Sequence, residues 1–162
     1  MDVIRAPWRM DYISSHNKEG GCIFCRYASE TNDAENLLVY RGTSCFVMLN
    51  RYPYSSGHIM VIPYRHTSDI LSLDEAERSE MMTLAQSAVA ALNAAYAAEG
   101  YNLGINAGKA AGAGIDSHLH LHVVPRWNGD TNFMSVTAET KVVPEALSVT
   151  RERISSEWPH RK

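Results

Sequence analysis

Long apolar runs are missing from this sequence. No stretch reaches the roughly 18 apolar residues that a membrane-spanning helix needs. The N-terminus, Met1-Asp2-Val3-Ile4-Arg5, lacks the apolar segment of a signal peptide. Cysteine is scarce: there are 3 among 162 residues, and two of them form a C-x-x-C. A disulfide scaffold is therefore not expected, and a cytoplasmic location is. An excess of positive charge is also missing. Lys and Arg total 15 against 18 Asp and Glu, for a formal net charge of -3. That argues against a nucleic-acid partner held by bulk charge and against a membrane surface, but not against a small anion bound by a few local donors. Repeats, low-complexity tracts and linkers are absent too. What is there is a globular balance of 45% hydrophobic and 20% charged residues. A single domain over 1–162 is expected, with an irregular N-terminal segment, 1–36, that carries the C-x-x-C.

Strand signals fall at Leu37–Tyr40 and Cys45–Leu49, split by Arg41-Gly42-Thr43, and at His58–Pro63 after the turn formers Pro53-Tyr54-Ser55-Ser56-Gly57. A long helix follows. Ser72 with Glu75 reads as its capping box, Met81, Leu84, Ala88, Leu92 and Ala95 as its apolar stripe, and Gly100 as its stop. Tyr101–Asn106 and His118–Val124 read as further strands, joined by a small-residue loop, Ala107–Ile115. A second helix is expected from Pro144 to about Ser156. Too few helices separate the strands for a doubly wound sheet. The expected class is α+β, an antiparallel sheet with a long helix and a C-terminal helix packed on it.

The chemistry concentrates in His118-Leu119-His120-Leu121-His122. Side chains alternate along a strand, so the three imidazoles share one face while Leu119, Leu121 and Val123 point into the core. Three imidazoles suit neither core packing nor a plain solvated face. A metal ion held by all three is disfavoured, because His118 and His122 would have backbones about 13 Å apart and a zinc–nitrogen bond is about 2 Å. Two of them sharing an ion remains open. The other reading is phosphoryl chemistry, with one imidazole as nucleophile and a neighbour holding a phosphate oxygen or assisting the leaving group. The preceding loop favours this. Gly108, Gly112 and Gly114 would let backbone N–H groups approach an anion, and Lys109 could add charge. A tight turn is the plainer reading of the same glycines. His58 reads as a structural hydrogen-bonder opening its strand, and Cys45 as a small buried side chain. His16 and His160, near the ends, receive no role.

The His118-Leu-His120-Leu-His122-Val-Val124 run resembles the motif of the histidine triad (HIT) family. Asn50, Gly57-His58-Ile-Met-Val-Ile-Pro63 and Asn106-Ala-Gly108 resemble that family's nucleotide site. Ala6-Pro7-Trp8-Arg9 and Pro125-Arg126-Trp127-Asn128-Gly129-Asp130-Thr131-Asn132-Phe133 are similar to a microbial branch that includes diadenosine tetraphosphate phosphorylases and Fhit-like hydrolases. The resemblance implies an α+β HIT fold, a homodimer and an enzyme that cleaves a nucleotide phosphoric anhydride, such as that of a dinucleoside polyphosphate. Under it His120 would form a nucleotidyl-histidine intermediate and His122 would contact phosphate and assist departure. Asn50 would meet the ribose, and Asn106 would lie near the phosphates with the glycines. The chain departs from many relatives in carrying Gly114-Ile115 where they carry Gln followed by Ser or Thr. A nucleoside phosphoramidase and a nucleotide-binding regulatory protein with weak turnover are the rival functions. Redox cofactors are not expected.

Cys22-Ile23-Phe24-Cys25 has two physical readings. A redox C-x-x-C sits at a helix start in a thioredoxin-like context, and no strand leads into this one. A structural zinc site wants four ligands, for which His66 is a candidate. The family resemblance completes the set as Cys22, Cys25, His66 and His118, which would separate an anchoring first histidine from a reacting middle one.

Overall fold

The computed structural model describes residues 21–130 and 145–159. Pro144, Ala6–Arg9, Thr131–Phe133, His16 and His160 lie outside them. Helix α1 (Ile23–Ser29) leads into strands β1 (Leu38–Arg41), β2 (Cys45–Leu49) and β3 (Ile59–Pro63). Helix α2 (Glu75–Tyr96), strands β4 (Gly100–Ile105) and β5 (Leu121–Arg126), and helix α3 (Leu147–Ser156) follow. All strand pairings are antiparallel, and the spatial order is β1-β2-β3-β5-β4. The α+β class read from the pattern is the observed one.

Alternation along the strands divides two apolar layers. Val39, Val47, Ile59, Val61, Leu121 and Val123 face α2 and α3, where they meet Leu84, Ala88, Leu92, Ile154 and Trp158. Leu38, Phe46, Met48, Met60 and Ile62 face the other way and are covered by Phe24 and Tyr27 of α1. The histidines belong to this second face: His122 pairs in register with Met60, and Leu121 with Val61.

Several sequence boundaries shift, each for a tertiary reason. The N-terminal segment is not wholly irregular, because α1 forms within it. Seven residues after two glycines give no helical period to read, and the burial of Phe24 and Tyr27 on the sheet supplies the stability that propensity cannot. The capping box of α2 is Asp74 with Glu77, not Ser72 with Glu75. Arg65 selects it by holding the Glu77 carboxylate at 2.6 and 2.8 Å. The helix stops at Ala97, in a left-handed conformation at φ 48°, and Gly100 opens β4 opposite Arg126. His118 and His120 lie ahead of β5 rather than within it. Pro63, at the end of β3, has no N–H for the ladder, and the Leu119 N–H donates to the Thr67 carbonyl at 2.7 Å instead.

The turn between β1 and β2 is closed from α2. The Glu80 carboxylate accepts the backbone N–H of Thr43 and of Cys45, each at 2.8 Å, and that of Ser44. Cys45 is fully buried, so its amide has no ready replacement. Glu80→Ala is expected to destabilise the fold by about 1–3 kcal/mol, the cost of stranding buried donors. The midpoint of urea unfolding measures this. A shift below about 0.5 kcal/mol, the range of a neutral surface change, would show that water takes over the carboxylate's bonds.

Candidate active site and thiol–imidazole cluster

The three alternating histidines keep a common side although two of them precede the strand. His118, His120 and His122 are all buried, beneath α1. The His120 and His122 rings are 4.8 Å apart, and the Phe24 ring lies 5.2 Å from His120 and 5.5 Å from His118. Leu119, Leu121 and Val123 sit in the opposite core, as alternation requires.

The bonding of each ring fixes its tautomer. His120 Nδ1 lies 2.8 Å from the His118 carbonyl, which can only accept. The proton is therefore on Nδ1, and Nε2 carries the lone pair. Burial, reinforced by the neighbouring His118 and only partly offset by that hydrogen bond, holds the His120 pKa below its ordinary 6.5. A neutral, unprotonated Nε2 is a nucleophile. His122 is set the other way. The Tyr54 N–H donates to His58 Nδ1 at 3.0 Å, so His58 bears its proton on Nε2. That nitrogen lies 2.9 Å from His122 Nδ1. His122 accepts there and, when neutral, carries its own proton on Nε2. The adjacent rings thus form a lone pair beside a donor.

In the sequence His58 reads as a structural hydrogen-bonder within a stretch that resembles the family's nucleotide site. The structure places it against His122, buried and with its ring tilted at 36° to that of Tyr54, 4.6 Å away. Its signal was a polar residue opening an otherwise apolar, fully buried strand.

A cavity opens on this pair. Its lining includes Asn50, Gly114, His120 and His122 from the candidate set, together with Phe24 and Tyr54. Asn106, Gly108 and Gly112 are not in the lining. Gly108 and Gly112 have φ of +83° and +84°. The amides of Ala111, Gly112 and Ala113 donate to carbonyls within the loop. These two glycines shape the turn, while Gly114 reaches the cavity. Lys109 pairs with Asp116 at 3.6 Å. Asn50 Oδ1 accepts the Tyr52 N–H at 2.9 Å.

Beside the cavity Cys22, Cys25, His66 and His118 converge, with one donor atom from each all within 4.8 Å of one another. Cys22 Sγ lies 3.3 Å from His118 Nδ1, Cys25 Sγ 3.4 Å from His66 Nδ1, and the two Nδ1 atoms are 3.2 Å apart. A tetrahedral zinc ion with bonds of about 2.3 Å to sulfur and 2.0 Å to nitrogen would set such edges at about 3.3–3.6 Å. The residues fit the ion. His118 Nε2 donates to the Pro63 carbonyl at 2.9 Å, which turns the unprotonated Nδ1 toward the thiols, as a metal-binding imidazole requires. Burial pushes the Cys22 thiol up, but its contact with the His118 ring and hydrogen bonds from the Cys25 and Phe24 amides outweigh it and bring it to about 6. Burial and the adjacent Cys22 raise Cys25. The C-x-x-C does stand at a helix start, since Cys22 is the N-cap of α1. The two histidines that meet the thiols, not the helix, make it a set that could hold a metal ion.

Fold and site define an α+β protein with a paired-imidazole cavity next to a thiol–imidazole cluster. A family model described as HIT domain matches residues 31–129, and the chain belongs to that family. It is 41% identical over 129 residues to a Mycobacterium tuberculosis protein named AP-4-A phosphorylase, covering 80% of this chain and 66% of that protein. The match thus spans just under two thirds of that relative's length. The fold is shared with a zinc-bound histidine triad family protein from Mycobacterium smegmatis, at a TM-score of 0.69 and 29% identity over 85% of this chain and 93% of that one. It is also shared with a hypothetical histidine triad nucleotide-binding protein from Sulfolobus tokodaii, at a TM-score of 0.68 and 28% identity over 84% and 91% of the two chains. No helix among the described residues is long and apolar enough to cross a membrane.

Proposed function

We propose that this protein is a nucleotidyl hydrolase or transferase that cleaves the phosphoric anhydride of a dinucleoside polyphosphate such as diadenosine tetraphosphate. The observation that carries the reading is the opposed bonding of the two rings, lone pair on His120 and proton on His122. His120 Nε2 attacks the α-phosphorus in line, and the bond from phosphorus to the bridging oxygen breaks. His122 donates a hydrogen bond to the oxygen that departs. The nucleotidyl group now rides on His120. Water, giving a proton to solvent, or inorganic phosphate then attacks the same phosphorus, and neutral imidazole leaves.

The bonding favours an anhydride over a phosphoramidate. A nucleoside polyphosphate leaves as an anion, because its last ionisation has a pKa of about 6, and a hydrogen bond suffices. An amine must take a whole proton. His122, neutral and accepting from neutral His58, has no proton to spare. Asn50 meets the ribose in this reading and Gly114 the phosphates, with Asn106 and the rest of the Gly108–Gly114 loop behind them. The fourfold cluster holds a structural zinc ion, whose role is to tie α1 to His66 and His118. Cys22 and Cys25 are not joined in a disulfide, which suits the reducing cytoplasm. β4 is an edge strand with Leu103 exposed, which suits a homodimer formed along that edge.

The test is product analysis with diadenosine tetraphosphate, with and without phosphate. ATP with AMP marks hydrolysis, and ATP with ADP in the presence of phosphate marks phosphorolysis. Turnover of a nucleoside phosphoramidate with none of the tetraphosphate would reverse the assignment.

A further inference from the structure

The cavity lining carries both buried and exposed aromatic rings beside the reacting pair. Phe24 lies 5.2 Å from His120, and with Tyr27, Met48 and Met60 it makes a buried apolar wall. Tyr54 lies 5.9 Å from His122, and Tyr52 accompanies it in the lining. The rings differ in solvation. Tyr27 is 7% exposed, whereas Tyr52 and Tyr54 are 38% and 39% exposed.

That exposure does not come from a loose loop. The segment between β2 and β3 is closed by the Asn50 N–H to the His58 carbonyl at 2.8 Å and by the His58 N–H to the Ser55 carbonyl at 3.2 Å. Ser55 Oγ donates to the Pro125 carbonyl of β5 at 2.7 Å. Gly57, at φ +79°, sits so close to α2 that an added Cβ would lie 2.8 Å from Leu92. Pro53 stiffens the link between the tyrosines. The loop therefore holds two aromatic rings in water beside the donor imidazole, on the side from which a leaving group departs.

From this we infer that Tyr52 and Tyr54 form a subsite for the second base of the substrate, the base that leaves with the polyphosphate. The inference rests on the proposed anhydride cleavage and narrows its substrate class. One base fills the apolar wall below Phe24, the phosphates cross His120 and His122, and the other base stacks on the tyrosines. Stacking on an aromatic face tolerates any base, so this subsite selects for two nucleosides rather than for a particular second base. A leaving group without a base gains nothing there.

The test compares kcat/KM for diadenosine tetraphosphate and adenosine 5′-tetraphosphate, which share the phosphate chain and differ in the second nucleoside. The wild-type protein is expected to favour the two-base compound by about tenfold. Tyr52→Leu with Tyr54→Leu should bring the ratio close to one, while Tyr52→Phe with Tyr54→Phe should keep it. If the leucine pair fails to fold, Tyr52→Leu alone serves, since Tyr54 makes the ring contacts with the histidines. Support of His122 by Tyr54 alone would lower both rates together and leave the ratio unmoved. A wild-type ratio near one, or a ratio unchanged by the leucine substitutions, overturns the inference. Turnover of neither compound by the wild type would overturn the anhydride reading itself.

Discussion

His120→Gly should abolish turnover, lowering kcat by at least about three orders of magnitude, or about 4 kcal/mol of barrier. The ring it removes supplies the nitrogen that would bond to phosphorus, and no neighbour can take its place. His122 points its lone pair at His58, and His118 turns Nδ1 into the thiol cluster. Nucleotide binding should survive, because Asn50, the apolar wall and Gly114 are untouched. Steady-state turnover and equilibrium binding on the same preparation separate the two effects. Mass spectrometry of rapidly quenched wild-type protein should show a nucleotide adduct on the peptide carrying His120. Retention of more than about a tenth of the wild-type rate, roughly 1.4 kcal/mol, would move the nucleophile elsewhere.

The second large effect concerns the cluster. Protein purified without chelator should hold one zinc per chain, and Cys22→Ser should release it. The ion would bind the folded arrangement of four donors and not the unfolded chain, so losing it should cost at least about 3 kcal/mol. For a chain of this length that lowers Tm by roughly 6–12 °C. The rate should fall far less than in His120→Gly. The cluster reaches the reacting ring through the His118 carbonyl that accepts from His120 Nδ1 and through the Phe24 ring that packs on both histidines, and none of its four donors is the attacking nitrogen. Elemental analysis and a thermal melt decide the matter. A metal-free wild-type protein that melts at the same temperature as Cys22→Ser would leave the cluster as packed thiols.

Much of the site was legible because it is written in short-range pattern. The alternation of His118, His120 and His122 with Leu119, Leu121 and Val123 placed one set together and the other in the core, as observed. It did so even though only His122 lies in the β5 ladder, since an extended backbone alternates with or without a pairing partner. The set of Cys22, Cys25, His66 and His118 is not short-range pattern; the family resemblance implies it, and the four do converge. The glycines were less informative. Gly108, Gly112 and Gly114 look alike in sequence, and only Gly114 reaches the cavity.

What the sequence by itself determined is the class of the fold, from strand and helix periods, and the common side of the three alternating histidines. These follow from local geometry, in which a period of two or 3.6 assigns a side chain to a face. Tertiary structure alone decided the rest. Arg65 chose Asp74 and Glu77 as the start of α2 over an equally plausible pair two residues earlier. The sheet face made a helix of α1, too short to persist without it. His58, 64 residues from His122, fixed the tautomer of that ring. Tyr54 came to the rim of the same cavity as Phe24. Each of these is a contact between segments distant in the chain, and its free energy depends on where a partner arrives rather than on which neighbours a residue has.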